Sequence, residues 1–90
     1  MFKVYVLENK KDRSSYIGQT EDLARRLQQH NSKNGGRTTS MKEEGSWTLI
    51  YAEAYVNKKD ALGREKFLKG GSGRMYLKKQ MRYYLENSSV

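Results

Sequence analysis

Arg26 and His30 stand four residues apart in the run Leu23-Ala-Arg-Arg-Leu-Gln-Gln-His30, and Leu23 and Leu27 share that spacing. On a helix this puts the two leucines on one stripe, with a guanidinium and an imidazole along its edge and Arg25 turned to solvent. Tyr16 enters from the segment just before, in Tyr16-Ile17-Gly18, and Tyr5 lies near the N-terminus. Far along the chain, Glu65 falls between Ala61 and Leu62 on a helical wheel, so a carboxylate is expected on an apolar face. A carboxylate so placed is costly unless it is paired or binds a cation. Two expectations follow: an ion pair with Arg26 or Arg64, or a hard-metal site. Mg²⁺ commonly takes one or two protein carboxylates and draws its other ligands from water and substrate phosphate. One Glu, one Arg, one His and two Tyr together make a set able to cut a phosphodiester bond.

Several elements must bring these residues together. Residues 2–8 alternate as a strand, with Phe2, Val4 and Val6 on one side and Lys3, Tyr5 and Leu7 on the other. Polar residues 9–14 read as a turn, and 15–19 return as a second strand, which can place Tyr5 and Tyr16 on one face. Gly18 ends this strand, and a helix is expected from about Thr20, with Glu21 and Asp22 in its first turn. Residues 31–46 are rich in Ser, Asn, Gly and Thr and read as a loop. Its Lys33, Arg37 and Lys42, with the hydroxyls of Thr38, Thr39 and Ser40, suit phosphate contacts.

The aromatic and β-branched run 47–55 reads as a third strand. Asn57 is an N-cap for a second helix whose apolar face is Ala61, Leu62 and Leu68, closing at Gly70-Gly71. A third helix is expected over 74–85, with Arg74, Lys78, Lys79 and Arg82 set against Met75, Leu77, Met81, Tyr84 and Leu85. The order is β-β-α-β-α-α, an α+β chain expected to form one domain over its 90 residues.

Composition narrows the function classes. There is no Cys, which excludes a disulfide framework and a Cys-based zinc site. No apolar run approaches a membrane span, and the N-terminus turns polar too soon for a secretory signal, so a cytoplasmic protein without a membrane partner is expected. The net charge is +8, and it is unevenly spread. Residues 1–56 carry nine Lys/Arg against seven Asp/Glu, while 57–90 carry nine against three. Such an excess points to a polyanion, with Arg74, Lys78, Lys79 and Arg82 as the candidate DNA contacts.

Val4-Tyr5-Val6, Tyr16-Ile17-Gly18, Arg26-Leu-Gln-Gln-His30 and Arg64-Glu65-Lys66, in that order, resemble the motifs of the GIY-YIG nuclease superfamily. Nearly the whole chain is similar to the small single-domain bacterial members. The resemblance implies a three-stranded antiparallel sheet flanked by helices, and endonuclease activity that depends on Mg²⁺ or Mn²⁺. It implies catalytic roles for Tyr5, Tyr16, Arg26, His30 and Glu65, with Glu65 as the metal ligand and Tyr5 or His30 activating water. Family members include homing endonucleases, restriction enzymes and the incision subunit of bacterial excision repair. DNA repair, a monomeric state and a separate targeting protein are accordingly expected. The alternative is a non-catalytic nucleic-acid-binding domain that keeps the fold. The first half-motif departs from the family, reading Val-Tyr-Val rather than Gly-Ile-Tyr.

Overall fold

The first strand alternates side chains of similar bulk, and both of its faces find an apolar partner. That requires a central position, and β1 (Phe2–Asn9) has one. It is flanked by β2 (Ser15–Thr20) and β3 (Trp47–Tyr55), antiparallel to both, in the order β2-β1-β3. The computed structural model describes residues 1–32 and 46–88. The loop positions Lys33, Arg37, Thr38, Thr39, Ser40 and Lys42 lie outside the described residues.

On one face of β1, Val4 and Val6 pack with Ala61 and Leu68 of α2 (Lys58–Lys69) and Leu77 of α3 (Gly71–Gln80). On the other face, Tyr5 and Leu7 join Trp47, with Tyr16, Leu23, Leu27 and Leu49 against them, which seats α1 (Leu23–His30). Each fully buried aliphatic side chain contributes roughly 1.5–3 kcal/mol, so this two-sided packing is the main stabilising term.

The α+β order and the three-stranded antiparallel sheet agree with the sequence expectation, and three local features differ. First, α1 begins at Leu23 rather than near Thr20. Asp22 is its N-cap and accepts a hydrogen bond from the Arg25 amide at 3.1 Å. Thr20 completes β2, and Glu21 precedes the cap, so neither acid lies in the first helical turn. An Asp takes the extended backbone of an N-cap readily, and its carboxylate fills an orphan amide donor. Second, the predicted third helix is two helices. The first starts earlier, at Gly71, and stops at a non-helical Met81; α4 (Arg82–Ser88) follows. The break keeps Leu77 buried and Met81 half-buried but leaves Met75 65% exposed, so Met75 is not part of the apolar face. Third, Leu62 is 46% exposed, because the buried apolar side chains that α2 sets against the sheet are Ala61 and Leu68.

Gly73 sets how closely α3 approaches α2. A Cβ there would overlap the Phe67 carbonyl and the Leu68 backbone, so no larger residue fits without parting the helices.

A polar network ties α2 to β3. The Arg64 guanidinium donates to both oxygens of Glu53, from Nε at 2.7 Å and from Nη2 at 3.0 Å. The hydroxyls of Tyr51 and Tyr55 donate to the same carboxylate at 2.5 and 2.6 Å. Arg64 also lies against the rings of Tyr76 and Phe67, 4.4 and 5.0 Å from their centroids. Burial would lift the Glu53 carboxyl, but Arg64 and the two hydroxyls outweigh it and hold it down at about 2.

Candidate active site

The register of β1 on β2 puts Tyr5 opposite Gly18 and Leu7 opposite Tyr16. Directly opposed residues share a face, so Tyr5 and Tyr16 lie together, their ring centroids 6.3 Å apart. Gly18 permits this arrangement. A Cβ at that position would sit 2.6 Å from the Tyr5 hydroxyl oxygen, 2.8 Å from Tyr5 Cζ and 3.0 Å from Tyr16 Cε1. The phenol ring of Tyr5 therefore lies across the space that any other residue would fill. Gly18→Ala is expected to displace the ring and destabilise the protein by about 1–3 kcal/mol, lowering Tm by roughly 5–15 °C in a melting curve.

His30 closes the group from α1. It is 2% exposed, its Nε2 lies 2.9 Å from the Tyr5 hydroxyl, and its ring centroid is 4.6 Å from that of Tyr16. The end of α1 is pinned by the next residue. Asn31 accepts from the Trp47 amide and donates to the Trp47 carbonyl, both at 2.9 Å, which clips the helix terminus to the start of β3. Arg26, one turn before His30, is half-buried and bonds Gln29 at 3.2 Å, and the nearby Tyr5 and Tyr16 favour its charged form. Arg25 is exposed, as the wheel predicts.

The electrostatics of the cluster are asymmetric. Burial, and then the nearby Arg26 charge, pushes the His30 imidazole below its ordinary 6.5, so it is neutral at pH 7 and has one acceptor nitrogen. Burial also lifts the Tyr5 phenol above its ordinary 10, and the Arg26 hydrogen bond opposes this without reversing it. Desolvation is thus the larger effect on Tyr5, and the neighbouring guanidinium does not turn its phenol into a phenolate.

Glu65 lies within electrostatic reach of Tyr5 and is the weakest of the influences that raise its phenol. Its side chain is 21% exposed, and it pairs with Lys69 one helical turn on, at 2.8 Å. Neither ion-pair partner expected from the sequence is the actual one. Arg64 turns to Glu53, and the Arg26 guanidinium bonds Gln29. The wheel gave the helix face of Glu65, but a long side chain near a sheet edge can reach water, and there it meets an exposed lysine.

Could Glu65 hold a divalent cation? Among the described residues no three His, Cys, Asp or Glu side chains converge, so an all-protein cage is absent there. The donor set is one half-buried carboxylate that already attracts an ammonium group. A single carboxylate within reach of water fits Mg²⁺ or Mn²⁺, which keep several waters and take substrate phosphate as ligand.

Arg74, Lys78, Lys79 and Arg82 are all exposed on α3 and α4. Sequence reasoning did not single out Glu53, Tyr51, Tyr55 or Lys69. The i, i+4 spacing of Glu65 and Lys69 was available as a signal; the Glu53 network, built across β3 and α2, had none in local sequence.

The catalytic-domain model of the GIY-YIG family matches residues 1–81, and the chain belongs to that family. It is 34% identical over 79 residues to a UPF0213 protein of Pediococcus acidilactici, a match spanning 88% of this chain and 76% of that one. It is 42% identical over 66 residues to a UPF0213 protein of Streptococcus pneumoniae, spanning 73% of this chain and 64% of that one. A UPF0213 protein of Bacillus halodurans, solved by NMR, superposes with a TM-score of 0.51 at 35% identity, covering 94% of this chain and 85% of the other. A 47-residue stretch is 47% identical to the structure-specific endonuclease subunit SLX1 of Phaeosphaeria nodorum, half of this chain and 13% of that protein.

Proposed function

We propose that this protein is a divalent-metal-dependent endonuclease that hydrolyses DNA phosphodiester bonds. The observation that carries this reading is the gathering of Tyr5, Tyr16, Arg26 and His30 from three elements around one point, with Glu65 close enough to act on Tyr5. Arg26 presents planar donors to the nonbridging oxygens of the scissile phosphate, where negative charge builds during attack. Tyr16 orients the phosphate or the attacking water. Glu65 would hold the cation, which supplies Lewis-acid polarisation of the phosphate and stabilisation of the departing oxygen.

The base is the Tyr5–His30 pair. The phenol is a poor base while it keeps its proton, and burial makes that proton harder to lose. A neutral His30 with Nε2 unprotonated accepts it across the 2.9 Å contact as the Tyr5 oxygen takes one from water. The rate is then expected to stay level through neutral pH and to fall in acid, below the ordinary imidazole value, as His30 becomes cationic. Tyr5→Phe and His30→Ala should each lower kcat by about 10²–10⁴-fold, and His30→Ala should remove the acid limb from the pH–rate profile. A full rate in Tyr5→Phe would defeat the pair.

The test of the function is incubation of purified protein with supercoiled plasmid, with and without Mg²⁺ or Mn²⁺. Nicking or linearisation that chelator abolishes is expected. Binding without any cutting would assign the chain to the non-catalytic class, since a phosphate-driven binder and a nuclease share a steep salt dependence.

A further inference from the structure

A cleft of about 630 Å³ opens on the α2/α3 side of the sheet, on the opposite face from the Tyr5 ring. Its floor is apolar, formed by Ile17 and Ile50 of the sheet and by Leu77 and Met81 at the end of α3. Lys69, Arg74 and Lys78 are set around it. Glu8, 8% exposed, contributes a carboxylate whose Oε1 accepts the Tyr84 hydroxyl at 2.6 Å and pairs with the Arg13 guanidinium at 3.5 Å.

Building on the nuclease function proposed above, we infer that this cleft takes an unpaired base of a single-stranded DNA segment next to the cleavage point. Three cations around a greasy floor call for a ligand that is anionic at its edge and flat and weakly polar within. A nucleotide with its base unstacked has that composition. A paired duplex does not: its bases are closed to an apolar floor and it offers only phosphate and sugar at the rim. Glu8 favours a base over an acidic peptide, because Tyr84 and Arg13 both engage its Oε1 and its second oxygen can accept from an exocyclic amino group, which a peptide carboxylate lacks.

Two contacts place the cleft beside the candidate active site. Lys69 belongs to its lining and holds Glu65 at 2.8 Å. Tyr16, on the edge strand β2, also borders it, while its ring lies on the other face of the sheet, 4.6 Å from that of His30. A strand whose base enters the cleft therefore brings its neighbouring phosphates to the Glu65 edge.

Fluorescence anisotropy in EDTA tests the inference without depending on cleavage. The probes are a labelled single strand, the blunt duplex of the same sequence, and a strand of equal length carrying abasic sugars. The single strand should bind about tenfold more tightly than the duplex, within the range that one stacked base contributes, and the abasic strand should lose that preference. Met81→Glu should bring the ratio of single-strand to duplex affinity near unity. If Met81→Glu does not fold by circular dichroism, Leu85→Glu at the α4 side of the cleft serves instead. Equal affinity of the wild type for all three probes, a preference that survives a folded cleft variant, or displacement of the strand by a leucine-rich acidic peptide each overturns the inference. Plasmid nicking by the same preparation keeps the two proposals apart. Nicking without base preference removes only the cleft, whereas no binding and no nicking removes the nuclease function itself.

Discussion

Glu65→Gln is expected to stop metal-dependent cleavage, by orders of magnitude, while leaving the fold and metal-free DNA binding in place. The substitution keeps size and shape but removes the charge that a hard cation requires. The fold should tolerate it because of the partner that Glu65 has. A carboxylate buried against Arg26 or Arg64 would strand a cation on mutation, at a cost of roughly 3–5 kcal/mol. The actual partner is Lys69, whose side chain is 54% exposed and returns to water at little cost. The change in stability should stay within about 1 kcal/mol. Binding should persist or tighten, since a negative charge near the phosphates is gone. One purified mutant, a melting curve and a plasmid-nicking assay decide the matter. Nicking at the normal rate would remove Glu65 from the metal site.

Glu53→Gln is expected to do the reverse, costing stability first. A neutral amide at that position cannot compensate the Arg64 charge, and Arg64 is only 25% exposed, held between Tyr76 and Phe67. A loss on the order of 3 kcal/mol is expected, with Tm falling by roughly 10–20 °C for a chain of this size. The pH dependence follows from the depressed carboxyl, about 2 in the folded protein against an ordinary 4.5. A depressed acid contributes stability that is fully present above the unfolded value and is lost as pH falls through the folded one. The wild type should therefore lose this contribution between about pH 4.5 and 2, and the mutant should lack that part of the slope. Melting curves across this range should converge toward acid. Parallel curves would mean that Glu53 is not the titrating group.

The sequence made β1 legible because alternation is a local property: Val4 and Val6 on one side, Tyr5 and Leu7 on the other, are fixed by the pleat alone. His30 and Arg26 were legible for the same reason, being one helical turn apart. Gly18 could be read as a turn signal, but its deeper role depends on Tyr5 lying across it from another strand. Glu65 was half legible. Its helix face followed from the wheel, while its depth depended on how α2 tilts, and the wheel holds no information on tilt. The Met81 break was hidden because residues 74–85 keep a helical pattern across it; tertiary packing overrides propensity there. Glu53 was illegible, since its four donors come from three side chains on two elements.

Glu53 also bears on solubility. β3 is an outer strand of the sheet, nine residues long and rich in aromatic and β-branched side chains. Such a strand is a template on which a second chain can add by backbone pairing. An inward-pointing charge is one of the devices that blocks this, because a docking strand would have to strip solvent from a carboxylate already committed to its own donors. Protonating Glu53, or replacing it with Gln, removes that guard while loosening α2 from the same strand. Self-association should therefore begin in acid before global unfolding, and light scattering should detect it in Glu53→Gln at neutral pH. The residue that anchors a helix would thereby also keep the molecule from sticking to copies of itself.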